Sequence, residues 1–134
     1  MAETLKLEVV TPERKVVETE ADEVELPGAQ GYLGILPGHA PLITLLKTGV
    51  LTYRRAGSSR AFAVSAGFAE ILGDRVSVLA DSADSAGDID AAAAEGERAR
   101  AEEEMKTAGI DTLDGIRARF ELAEARLAVA RRPS

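Results

Sequence analysis

Up to about Ala80 the apolar residues recur at every second position. LKLEVV sets Leu5, Leu7 and Val9 on one side and Lys6 and Glu8 on the other, and DEVEL places Val24 and Leu26 between acids. GVLTYRR, RAFAVSAGFAEIL and DRVSVLA are short runs rich in β-branched and aromatic residues, divided by the turn-forming stretches AGSS, SAG and LGD. A period of two in short, turn-bounded runs predicts an antiparallel sandwich or barrel of many strands.

The period changes across ADSADSAGD. Asp88 is placed to cap a helix through IDAAAAEGERARAEEEMK, a stretch of high helix propensity. Gly109 fits the stop of that helix, Asp111 or Thr112 is placed to cap a second, and Pro133 ends it. A connection of about three residues predicts an antiparallel hairpin. Residues 1–86 and 87–134 then divide the chain into a strand-built and a helical part.

The second helix carries a heptad seam of Leu113, Ile116, Phe120, Ala123, Leu127 and Ala130. The matching line on the first, Ile89, Ala92, Gly96, Ala99 and Glu103, buries much less area. Gly96 costs that helix about 1 kcal/mol relative to alanine. A loosely held hairpin that can leave its resting place follows. The plainer reading, a solvated two-helix tail covering one face of the sandwich, stays open.

Charge changes the picture in two ways. The net charge of −7 disfavours nucleic acid and anionic lipid as partners. Within the hairpin, Glu95, Glu97, Glu102, Glu103 and Glu104 lie on the first helix and Arg117, Arg119, Arg126, Arg131 and Arg132 on the second. Exposed pairs between them would be worth only ~0–1 kcal/mol each, so the arginines could transfer to an acidic partner at little cost.

Candidate chemistry is sparse. The chain has no cysteine, which excludes disulfides, thiolate metal sites and cysteine nucleophiles. No run approaches the ~18 apolar residues of a membrane span, and MAETLKLEVV lacks the basic and apolar regions of a signal peptide. His39, the single histidine, has no nucleophile elbow or second histidine to work with, so it reads as structural. GAQGYLG is neither a dinucleotide fingerprint nor a P-loop, and its glycines read as tight turns. Pro37 and Pro41 suit strand edges. Tyr32–Leu33 and Ile35–Leu36, displayed around rigid turns, suggest a protein contact surface. The residues therefore point to a binding or coupling module with no catalytic, cofactor or metal site. A free-standing ligand-binding sandwich with a helical lid is the alternative, and a hydrolase built on His39 a third.

LPGAQGYLGILPGHAPLITLLKTGVL resembles, nearly residue for residue, the signature of the epsilon subunit of F-type ATP synthases. SAGFAEILGDRVSVLAD and DIDAAAAEGERARAEEEM are similar to that family's last sandwich strands and first C-terminal helix. The resemblance implies a ten-stranded β-sandwich followed by a two-helix hairpin. It further implies a rotor-stalk subunit peripheral to the membrane, and the lack of a transit segment together with the Ala/Arg-rich tail points to the cytoplasmic face of a bacterial cell membrane. Such a subunit sits against the gamma subunit and the ring of c subunits and couples proton-driven rotation to ATP synthesis. The helices would extend into the catalytic head and inhibit ATP hydrolysis. By the same resemblance Gly28, Gln30, Gly31, Tyr32, Leu33 and His39 contact the c-ring and gamma, with Tyr32 standing where relatives often carry an acid. Arg117, Arg119 and Arg126 would meet the catalytic beta subunit. Ile89, Asp90, Arg100 and Arg126 match the ATP motif of some bacterial relatives, whereas Ala93 and Leu122 replace two of its arginines. Loss of two bidentate phosphate contacts implies weak or absent ATP binding.

Overall fold

The computed structural model describes residues 3–132; Pro133 lies outside them. Ten strands form first: β1 (Leu5–Val10), β2 (Lys15–Ala21), β3 (Glu23–Gly28), β4 (Gly31–Ile35), β5 (Leu42–Leu46), β6 (Gly49–Arg55), β7 (Ser58–Val64), β8 (Gly67–Leu72), β9 (Arg75–Ala80) and β10 (Ala83–Ser85). A single 3₁₀ turn, Ala86–Asp88, leads to α1 (Ala91–Met105) and α2 (Ile110–Ala130).

The strands form one hydrogen-bonded sheet ordered β10-β7-β6-β3-β5-β8-β9-β1-β2, with β4 paired to β3. It folds over at the β3–β5 junction, where Gly28 opposite Leu46 is the sole registered pair. Two five-stranded layers result. A Cβ at Gly28 would stand 2.7 Å from the carbonyl oxygen of Gly31, so the corner requires glycine. One expectation fails: β1 and β9 run parallel, with Leu7 opposite Val76 and Val9 opposite Val78. A parallel neighbour distant in sequence leaves no local signature.

The alternation is a statement about the core. Leu5, Leu7, Val9, Val24 and Leu26 are fully buried, as are Ile35, Leu51, Val64, Val76 and Val78 from both layers. Side chains fill the space between the layers, so the body is a packed sandwich and not a hollow container.

Three of the predicted helix ends move. Asp90, not Asp88, caps α1, accepting a 3.0 Å hydrogen bond from the Ala93 amide. Asp88 serves the 3₁₀ turn, where its Oδ2 accepts from the Ser85 hydroxyl at 3.0 Å. Gly109 is the N-cap of α2 and not the stop of α1, while Asp111 and Thr112 lie inside α2.

The α1 seam also differs from expectation. Its buried positions are Ala94 and Ala101, whereas Ala92, Ala99 and Glu103 face solvent. On α2 the expected seam is the packed face: Ala123 and Leu127 are buried and Leu113, Ile116, Phe120 and Ala130 are half-buried. A second α2 face, unforeseen, carries Ala125 and Val129 against Ala63 of β7, flanked by Val50, Ala61 and Ile89. The main packing partner of α1 is α2, and α2 in turn packs on β6, β7 and β10.

Candidate functional site

Strand alternation gives each layer an outer face as well as an inner one, and the two outer faces differ. On β7, Phe62 and Val64 point into the sandwich while Ala61 and Ala63 point out and meet the hairpin. On the opposite layer β5 and β8 carry apolar residues at both parities. Leu46, Ala69 and Ile71 are buried, yet Ile43 and Leu45 on β5 and Phe68 and Leu72 on β8 stand in solvent, together with Leu79 of β9. Leu45, Phe68 and Leu79 are directly opposite one another across three strands. Sequence reasoning missed this surface. Its signal is a strand such as LITLL, apolar on both faces, which reads as buried on both.

The strands are brought close by Gly67. A Cβ there would lie 1.9 Å from the carbonyl oxygen of Leu79 and 2.9 Å from Cα of Ala80, both backbone atoms. An apolar cleft of about 400 Å³ opens beside it, lined by Val10, Pro12, Phe68 and Leu79 among others.

The residues expected in one contact loop fall into two places. Gln30 and Gly31 form the tip of the β3–β4 hairpin, with Gly31 at φ 132°. Tyr32 is exposed, and its hydroxyl accepts a 3.2 Å hydrogen bond from the Val50 amide. Gly28 is buried at the corner, and Leu33 packs against the core. His39 lies beyond the far end of β4, in the connection to β5, where its Nδ1 is 2.6 Å from the Ala40 carbonyl oxygen. That connection is tied to the β8–β9 turn, because the Gly38 amide donates to Asp74 Oδ1 at 2.7 Å. Of the four apolar residues expected on display, Tyr32 and Leu36 are exposed, whereas Leu33 is half-buried and Ile35 belongs to the core. Pro37 and Pro41 sit in the connection and not on a strand edge.

The residues of the nucleotide motif do converge. Ile89, Asp90, Arg100 and Arg126 line one cleft of about 420 Å³ between the hairpin and β10, with Ala93 and Leu122 on its wall. Its guanidiniums are engaged within the chain. Arg100 pairs with Glu97 at 2.7 Å. Arg119 bridges Glu97 at 2.9 Å and Glu104 at 2.7 Å. Arg126 Nε donates to Asp84 Oδ2 at 3.0 Å. Hydrogen bonds from Arg100 and then Arg119 hold the Glu97 carboxyl below the usual range, and Arg119 does the same to Glu104. Arg117, the third arginine expected to meet a partner, is exposed and, among the described residues, pairs with Asp114 on its own helix, at 3.6 Å. The predicted cross-helix pairing is thus met by Arg119 and, at 3.5 Å, by Arg131 with Glu95, whereas Arg126 reaches the sandwich instead.

Among the described residues no helix is long and apolar enough to cross a membrane, and no group of three or more ligating side chains could hold a metal ion.

Residues 4–86 match the family described as "ATP synthase, Delta/Epsilon chain, beta-sandwich domain". The ATP synthase epsilon chain of Solibacter usitatus is 48% identical over 132 residues, 97% of this chain and 98% of that one. The ATP synthase epsilon chain of Syntrophobacter fumaroxidans is 45% identical over the same shares of the two chains. Among solved structures, a chain of the Euglena gracilis mitochondrial ATP synthase superposes with a TM-score of 0.82 over 96% of this chain and 82% of its own length, at 18% identity. A chain from the central stalk and c-ring of the Tetrahymena thermophila enzyme gives 0.62 over 96% and 97%, at 11% identity. Sandwich, hairpin and near full-length identity agree, and the chain belongs to the ATP synthase epsilon chain family.

Proposed function

We propose that this chain is a non-catalytic coupling subunit of the rotor stalk of a proton-translocating ATP synthase. Its sandwich grips the shaft and the ring, and its hairpin is a detachable brake on ATP hydrolysis. The observation that carries this reading is the division of labour between the two outer faces. One is covered by the hairpin through small side chains and one part-buried ion pair. The other leaves a row of leucine, isoleucine and phenylalanine in water, which monomers seldom do without a partner.

In this assignment the gamma subunit covers the Leu45–Phe68–Leu79 row, and the β3–β4 tip at Gln30–Tyr32 meets the c-ring. Residues 1–86 act as the gripping domain and 87–134 as the arm. When the arm leaves, Arg117, Arg119 and Arg126 exchange their internal carboxylates for those of the beta subunit in the catalytic alpha/beta head. Association with the membrane, on the cytoplasmic side of a bacterial cell, comes through the ring. Proton transport belongs to the assembly.

Two features oppose a nucleotide switch. Ala93 and Leu122 supply no phosphate donor, and Arg100, Arg119 and Arg126 already have carboxylate partners. The ligand-binding alternative is not favoured either, because the interior between the layers is filled.

Removing residues 89–134 tests the brake. The expected result is a folded sandwich that still joins the complex and supports coupling, with raised ATPase activity in the assembled enzyme. Unchanged hydrolysis would show that the arm is not an inhibitor.

A further inference from the structure

The hairpin touches the sandwich through very little chemistry. Its apolar footing is Ala125 and Val129 on Ala63, with Val50, Ala61 and Ile89 around them. Among the described residues, one ion pair joins a helix to a strand: Arg126 of α2 with Asp84 of β10, at 3.0 Å. Every other ion pair of the two helices stays within the hairpin. Arg132 adds a 3.2 Å hydrogen bond to the Ser59 hydroxyl.

Those pairs fall into two tiers. Arg119 clamps α1 to α2 by gripping two carboxylates one above the other on α1. Arg126 clamps the finished hairpin to the edge strand. The Arg126 and Asp84 side chains are 36% and 27% exposed, so water screens them less than the outer pairs, such as Arg117–Asp114 at 52% and 95%. Salt still reaches them, since the Debye length falls from ~10 Å at 0.1 M to ~3 Å at 1 M.

The geometry points to an ionic latch, Asp84–Arg126, that sets how often the hairpin leaves the sandwich. It releases the hairpin as an intact two-helix unit, in response to ionic strength or to a competing carboxylate, with no nucleotide required. A partner's carboxylate that captures Arg126 removes the one helix-to-strand ion pair, and at that first step Arg119 still holds the helices together; it exchanges its own carboxylates only after the released arm reaches the head. This rests on the reading of the hairpin as a mobile arm but not on its being an inhibitor.

The absence of cysteine makes the test clean. Full-length chain carrying Ser58→Cys and Ala99→Cys, both at exposed positions, takes two spin labels, and pulsed dipolar spectroscopy counts docked and undocked populations. Asp84→Asn and Arg126→Gln should each raise the undocked-to-docked ratio about threefold to fivefold, the worth of such a pair. The double variant should add nothing beyond the larger single effect. Raising sodium chloride from 0.05 to 1 M should shift the parent similarly and leave the double variant unmoved. Multiplicative single effects, or equal salt responses in parent and double variant, overturn the latch. So does one docked distance in every variant at every salt concentration. Failure of the brake instead registers as unchanged ATPase activity on truncation, so the two outcomes are distinct.

Discussion

Leu45 offers the sharpest test of the partner-facing surface. It is 68% exposed on β5, opposite Phe68, and lies outside the buried core. Fully burying a leucine is worth about 1.5–3 kcal/mol, so covering the 68% that is open is worth about 1–2 kcal/mol. Leu45→Ala should therefore weaken association with the rotor about fivefold to thirtyfold. Leu45→Asp should weaken it at least a hundredfold, because the carboxylate would be buried unpaired. Neither change removes a packed side chain, so the unfolding free energy of the isolated chain should move by no more than about 0.5 kcal/mol. The assay is titration of a complex stripped of this subunit, following restored coupling, with urea unfolding of each variant alongside. Wild-type affinity for Leu45→Asp would show that the row faces no partner.

Other expectations concern the glycines, the cleft and pH. Gly67→Ala should destabilise the sandwich by about 3 kcal/mol in urea unfolding, since its Cβ would stand 1.9 Å from a backbone oxygen and one strand must shift to admit it. Gly96→Ala should instead add up to about 1 kcal/mol of helix stability, because its nearest new neighbour is Arg100 Nη1 at 3.9 Å; a loss measured by thermal melting would contradict the assigned seam. Calorimetry with ATP should show no binding tighter than millimolar, and sub-millimolar binding would mean that the cleft's arginines are free to change partners. The carboxyls of Glu97 and Glu104 titrate below the ordinary glutamate value of 4.5, so their stabilisation is complete above that pH and fades as pH falls through the depressed folded values. The helical signal should consequently fall off below about pH 4.5, and less steeply in Arg119→Gln, which keeps only the Arg100–Glu97 part of that stabilisation.

Much of this was legible in the chain itself, for physical reasons. Strands with one wet and one dry face announce themselves by alternation, and Leu5, Leu7 and Val9 do so without ambiguity. The parallel β1–β9 pair was invisible because partner choice across some seventy residues leaves no mark on either strand. The α1 cap shifted by two residues because Asp88 and Asp90 are equally good caps, and Ser85 claims the first. The α1 seam was misplaced because an alanine-rich helix offers a small residue in nearly every register. What selects Ala94 and Ala101 is the face of α2 and the reach of Arg119 to Glu97 and Glu104. The partner of Arg126 was missed because Asp84 looks like one more acid in a linker until β10 pairs with β7 and carries it to the sheet edge.

The most direct test of the whole account is to isolate the chain, tagged at its natural abundance, from its own cells under mild conditions. Recovery in fixed ratio with the rotor and catalytic subunits of ATP synthase is the predicted result. Recovery chiefly as a lone polypeptide, with ATP synthase intact and active in the remaining fraction, would contradict it.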